Sequence, residues 1–257
     1  MEKSVLLFSG GFDSLLQEYQ IHPHVLLYVD MKTSYSEREL DALRKLPKSY
    51  QDRLIIIEFP LGAYERESKY LPYRNLILAT LAMQYGQHVY FGFNASDDAP
   101  DKDDKFLKKT TSLFKHLNKN CIPDMGWDNE RFSFSAPFKE MTKSAMVRAN
   151  LQDGMTPEFI QGIRTCYDSE SEKGCGKCRP CLNKAVALIN NSIFAPELFD
   201  TPITVESIST LYKEVKERIE DGDNLPINYV NEVKRARKLL RQKEEQISTV
   251  FFSLLSR

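Results

Sequence analysis

Four cysteines near residue 170 have the spacing of a metal site. Cys166, Cys175, Cys178 and Cys181 read C-x8-C-x2-C-x2-C and fall within 16 residues of a 257-residue chain. Four thiolates suit tetrahedral Zn²⁺, and the two-residue gaps let a tight turn aim successive sulfurs at one ion. Gly174 and Gly176 supply that turn. An iron–sulfur cluster also takes four thiolates, and free thiols are a third reading. Disulfides are not expected in a reducing compartment. Cys121 stands outside the spacing and reads as a plain thiol.

A second stretch that can do chemistry lies near the start: LLFSGGFDSLL, residues 6–16. A hydrophobic run broken by two glycines gives up strand stability, so something must need residues without side chains there. Gly10 and Gly11 let the backbone bend and show its N–H groups. The helix expected from Asp13 adds its own N–H groups and partial positive charge. Ser9 and Ser14 add hydroxyl donors. This composition fits a cradle for phosphate or pyrophosphate; the alternative is an ordinary glycine-rich strand-to-helix turn. The stretch lacks the Gly-Lys-Ser/Thr of a Walker loop and the third glycine of a dinucleotide fingerprint.

The elements that must position these residues follow from hydrophobic periodicity. Strands are expected at 3–8, 24–30, 53–59, 88–93 and 131–138. Helices are expected from Asp13 and over 36–46, 74–86, 104–117 and 142–151. Alternation of this kind predicts an α/β fold, a doubly wound, mostly parallel sheet with ligands at the carboxyl ends of its strands. Two charged amphipathic helices, 204–222 and 226–257, complete the chain, with Gly222 and Pro226 between them. Their apolar stripes predict packing on the same chain, or an interface with a second subunit or another protein. A hydrophobic fraction of 42% supports a real core, and a net charge of −1 gives no bulk attraction to nucleic acid or an anionic membrane. No apolar run approaches the length of a membrane span, and the first residues are too short of apolar character for a signal peptide. A cytoplasmic location is therefore expected.

Ser9-Gly10-Gly11-Phe12-Asp13-Ser14 resembles the SGGxDS loop of PP-loop ATP-pyrophosphatases. Together with LPYRN (71–75), GFNASDDAPD (92–101), APFKEMTKSAMV (136–147) and TCYD…GCGKCRPCL, the chain resembles the 7-cyano-7-deazaguanine synthase (QueC) family over about residues 3–194. The resemblance implies an adenine nucleotide alpha-hydrolase-like fold and ATP-dependent conversion of 7-carboxy-7-deazaguanine and ammonia to the nitrile. It implies ATP at Phe8, Ser9, Gly10, Gly11, Phe12, Asp13, Ser14, Leu15, Leu16 and Asp30, with Asp13 helping to hold Mg²⁺. Arg74, Asn75, Asn94 and Asp97 are the implied substrate contacts; Asp13, Arg74 and Lys143 are the implied catalytic residues. Helix-end charge for Arg74 and Lys143, and capping for Asn94 and Asp97, are the plain structural alternatives. The implied assembly is a homodimer. Expected segments are a PP-loop domain at 1–164, the zinc loop and its helix at 165–194, and a helical extension at 195–257.

The chain departs from the family pattern after the second strand. It reads VDMKTSYSEREL at 29–40, keeping Asp30 but not the family's Gly-Gln. Two further readings follow. One keeps adenylation but stops at the amide or joins the acyl group to another amine. The other makes the cysteine loop a zinc knuckle for nucleic acid or protein, with Lys173, Lys177, Arg179 and Lys184 as its charges.

Overall fold

The computed structural model describes residues 3–97, 99–119, 132–166, 168, 172–223 and 225–255, with side chains as far as residue 246. Strand β1 (Ser4–Leu7) lies at the centre of a five-stranded sheet, between β2 (Val25–Asp30) and β4 (His88–Tyr90). β3 (Leu54–Glu58) and β5 (Ser133–Ser135) are the edges, and the order is β3-β2-β1-β4-β5. Every pairing is parallel, with Val5 opposite both Val25 and Val89.

The helices of this first unit are α1 (Phe12–Ile21), α2 (Ser36–Arg44), α3 (Lys48–Gln51), α4 (Arg74–Ala82) and α5 (Asp104–Asn118). Alternation along the strands sends Val5, Leu27, Val29 and Val89 to one face, where they meet Ala79 and Ala82 of α4 and Leu107 and Phe114 of α5. Leu6, Leu26 and Tyr28, also buried, have the opposite parity. Burial on both faces explains why the strands read as continuous apolar runs. An aromatic cluster extends the core past β4: Phe91 stacks on Phe93 at 4.8 Å, and Phe134 meets Phe114 at 5.3 Å.

Two bounds differ from expectation for a physical reason. α4 ends at Ala82 rather than at Gly86. A Cβ on Gly86 would lie 2.6 Å from the Lys3 carbonyl oxygen, so this glycine serves a close chain approach, not a helix stop. β4 ends at Tyr90, and Phe91 and Phe93 continue as buried loop.

The chain divides into two compact units, Met1–Glu140 and Met141–Arg257. The second holds α6 (Lys143–Gln152), α7 (Pro157–Gly162), α8 (Arg179–Ile189), α9 (Val205–Glu220) and α10 (Ile227–Leu255). Ile208, Leu211 and Val215 of α9 and Tyr229, Val230 and Val233 of α10 form one core with Leu182, Val186 and Ile189 of α8. These residues of the last two helices are thus covered within their own unit, whereas Ile219 is 40% and Ile227 67% exposed. Among the described residues no helix is long and apolar enough to cross a membrane.

Candidate functional site

The carboxyl end of β1 delivers Phe8 and Ser9 to a tight turn. Gly10 has φ +69°, and a Cβ there would sit 2.8 Å from Leu43 Cδ2, so both conformation and space require glycine. Gly11 is the extended N-cap of α1 and offers no side chain to the first-turn amides. Its own N–H donates to Ser9 Oγ (3.3 Å), and its carbonyl accepts from Ser14 Oγ (3.1 Å). The two serine hydroxyls lie 3.4 Å apart. Asp13, half-buried, stands in the first turn. The side chains of Phe12, Leu15 and Leu16 are buried and anchor the helix beneath the turn. This is a helix N-terminus with a small-residue approach, the arrangement that favours an anionic group.

β1 lies between β2, which follows it in sequence, and β4, reached after the chain has crossed back. The order reverses here, and a crevice is expected outside the carboxyl ends of strands at such a point. Gln17 of α1 donates to the Phe93 carbonyl (3.3 Å), tying α1 to the segment after β4. That segment carries Asn94 and Asp97. Asn94 Oδ1 accepts from Ser96 N (3.0 Å) and Ser96 Oγ (2.6 Å), while Asp97 accepts from Asn94 N (3.0 Å) and pairs with Lys102. Both side chains therefore hold the loop together.

Asp30, at the end of β2, is 1% exposed. It accepts from the Lys32 amide (2.9 Å) and pairs with the Lys32 ammonium (2.6 Å), which also reaches Glu58 (2.9 Å). Burial pushes the Asp30 carboxyl up, but the Lys32 hydrogen bonds outweigh it and hold the group below its ordinary value. Arg74 begins α4 and donates to Tyr35 Oη (3.3 Å). Asn75 is buried and donates to the Asp101 carbonyl (3.2 Å), a tie from the first turn of α4 to the loop before α5. Glu39 of α2, not anticipated from sequence, accepts from Tyr28 Oη (3.0 Å). Burial pushes its carboxyl up to about 7, against the lowering effects of Tyr28 and Arg74. A glutamate amid helix charges such as Glu37 and Arg38 gives no sign in sequence that it turns inward.

The second unit holds the cysteines. Sγ atoms of Cys166, Cys175, Cys178 and Cys181 all lie within 4.8 Å of one another, and none is in a disulfide. Cys166 and Cys178 are 3.8 Å apart, and Cys175 and Cys181 are 3.9 Å apart. A tetrahedral Zn²⁺ with Zn–S near 2.3 Å requires sulfurs about 3.8 Å apart. A cluster would attach its thiolates to several irons and spread them, so the spacing suits a single ion. Amides of Lys177 (3.4 Å) and Cys178 (3.2 Å) point at Cys175 Sγ, and those of Asp168 and Cys175 at Cys166 Sγ (both 3.4 Å). Such donors favour thiolates. A Cβ on Gly176, with φ +75°, would meet the Thr201 carbonyl oxygen at 1.9 Å, and one on Gly174 would meet Cys181 Sγ at 2.8 Å. Lys184 is buried and donates to the Gln161 and Ile163 carbonyls (2.6 Å each), so it belongs to the interior rather than to a basic surface. Cys121 lies outside the described residues.

Residues 51–192 match the family model described as "Queuosine biosynthesis protein QueC". The chain belongs to the QueC family. Among its relatives, 7-cyano-7-deazaguanine synthase 1 of Colwellia psychrerythraea (strain 34H / ATCC BAA-681) is 31% identical over 226 residues, covering 76% of this chain and 97% of the relative. The 7-cyano-7-deazaguanine synthases of Hahella chejuensis (strain KCTC 2396) and Rickettsia akari (strain Hartford) are 27% and 22% identical, covering 79% and 76% of this chain. These relatives are covered at 95% and 98% of their own lengths. About a quarter of this chain therefore has no counterpart in them. The matched segment contains Arg74, Asn75, Asn94, Asp97, Lys143 and all four cysteines; the glycine loop precedes it, and α9 and α10 follow it. Kinship with named synthases supports an enzyme. Lys143 is the first residue of α6, in the second unit.

Proposed function

We propose that this chain makes 7-cyano-7-deazaguanine from 7-carboxy-7-deazaguanine and ammonia, consuming ATP. The observation that carries the reading is the Ser9–Ser14 turn, a glycine-capped helix N-terminus at the point where the strand order reverses. It suits the pyrophosphate part of a nucleotide. A substrate carboxylate oxygen attacks the α-phosphorus, the bond to the β-phosphate oxygen breaks, and pyrophosphate leaves. Ammonia then attacks the acyl carbon, and AMP leaves with the carboxylate oxygen. A second adenylation, on the amide oxygen, makes that oxygen leave as AMP; loss of the two N–H protons gives the nitrile.

In this reading the first-turn amides and the Ser9 and Ser14 hydroxyls bind pyrophosphate, and Asp13 would hold Mg²⁺, which would supply positive charge for the phosphates. Arg74 and Lys143 supply positive charge for the developing phosphate charge. The purine-like ring is read by Asn94 and Asp97, which must exchange their loop hydrogen bonds for it. Zn²⁺ at Cys166, Cys175, Cys178 and Cys181 is structural. Incubation with ATP, Mg²⁺, 7-carboxy-7-deazaguanine and ammonium, followed by mass spectrometry, tests the reading; AMP with a nitrile product is expected.

A second reading keeps adenylation but ends at the amide or passes the acyl group to another amine. It is favoured by the segment after β2, where Lys32, with φ +54°, occupies the position that departs from the family's Gly-Gln and neutralises Asp30. The same incubation separates the two, because amide accumulates without nitrile.

A further inference from the structure

α6 begins at Lys143, with Thr142 as its N-cap. Thr142 Oγ1 accepts from Ala145 N (3.2 Å) and donates to the Glu232 carboxylate of α10. The Ser144 hydroxyl and amide also bond to that carboxylate, with the Arg148 charge nearby. Asn190 of α8 closes the group, donating to Ser144 Oγ and to the Glu232 carbonyl (3.1 Å each). Tyr229, three residues before Glu232 and so on the same face of α10, interacts with the Lys143 charge and donates to Asn183 Oδ1 (2.8 Å).

The electrostatics give this carboxylate a task. The start of a helix carries partial positive charge and unsatisfied N–H groups. A lysine at the first helical position adds a cation where a cation is least favoured. A carboxylate on the flanking helix supplies the missing acceptors and the opposite charge. The helix that brings it lies beyond residues 51–192, in the part of the chain outside the family match.

We propose that Glu232 is a positioning residue for Lys143, so that the C-terminal helices complete the Thr142–Lys143 segment. The proposal rests on Lys143 acting in adenylation. Glu232 need not touch the nucleotide. It fixes the first turn of α6 and so the direction from which the lysine side chain departs.

The test uses the full chain, with Glu232→Ala and Glu232→Gln. Amide hydrogen exchange, zinc content and the kinetics of AMP release are measured on each. For Glu232→Ala, exchange should rise about tenfold at residues 143–147 while α8 keeps its protection and zinc is retained. In the same variant kcat should fall about ten- to a hundredfold with KM for ATP within about twofold, the scale of a misplaced catalytic group. Glu232→Gln keeps an acceptor for Thr142 and should restore protection and part of kcat. Exchange and kcat unchanged in Glu232→Ala would overturn the proposal. So would an equal rise in exchange across α8 and α9, because Glu232 would then support the fold alone. A wild-type chain that releases no AMP would sink the adenylation reading instead. The exchange pattern would still decide whether Glu232 holds the turn.

Discussion

Asp13 places a carboxylate in the first turn of a helix whose N-terminus is proposed to bind pyrophosphate. Two anions at one helix end repel, and in the proposed reaction Asp13 would hold Mg²⁺, which would supply the offsetting positive charge. Asp13→Ala should fold normally, since the residue is only half-buried and stands outside the apolar core. It should slow AMP release by about a hundredfold, the scale of a removed transition-state charge partner; near-normal turnover would remove Asp13 from the mechanism. Glu39 makes a different kind of prediction. Its carboxyl is raised to about 7 by burial, from an ordinary value of 4.5. Between those values the folded chain holds a proton that the unfolded chain has released, so Glu39 makes stability fall as pH rises through this window. Glu39→Gln keeps the acceptor for Tyr28 and removes the ionisation. Its melting temperature relative to the parent should rise from pH 4.5 to pH 8; a difference that stays flat across that range would contradict the assignment.

At the scale of elements, the four-cysteine loop and the helices around it form one structure. Cys166 and Cys181 belong to the same core as α8, α9 and α10. Metal binding in such a site is also folding free energy. Cys178→Ser should therefore lose zinc and lower the melting temperature by roughly 10 °C or more, read by elemental analysis and calorimetry on the same preparation. Iron in the parent protein, or a variant as stable as the parent, would defeat this. The elements themselves were largely legible in the sequence. All five strands and seven of the helices follow from apolar runs, and α6 and α9 start at threonine caps whose hydroxyls accept from the first turn. α3 and α7 were not anticipated: at four and six residues they are too short to show a helical period. The Thr156-Pro157 start of α7 was the available signal. In the candidate site, the glycine turn before α1 and the gathering of four cysteines were legible because local spacing sets their geometry. Glu39 with Tyr28, and Glu232 with Thr142, were not, because each pair joins residues distant in sequence, and only the fold brings them within a hydrogen bond.

For the molecule as a whole, a chain ending at Asp200 should be less soluble and less stable than the full chain. It would lose Ile208, Leu211, Val215, Tyr229 and Val233 and uncover Leu182, Val186 and Phe199. Equal solubility and melting temperature for the two would show that the C-terminal helices are dispensable to the second unit. We propose a homodimer, and light scattering on the full chain tests it, with about twice the chain mass of 29.7 kDa expected. The central claim is adenylation of a deazaguanine carboxylate at the Ser9–Ser14 turn. Mass spectrometry of the full chain with ATP, Mg²⁺, 7-carboxy-7-deazaguanine and ammonium tests it most directly. The account predicts AMP and pyrophosphate formed only when the carboxylate substrate is present, together with the nitrile. Absence of AMP in the complete mixture would contradict it.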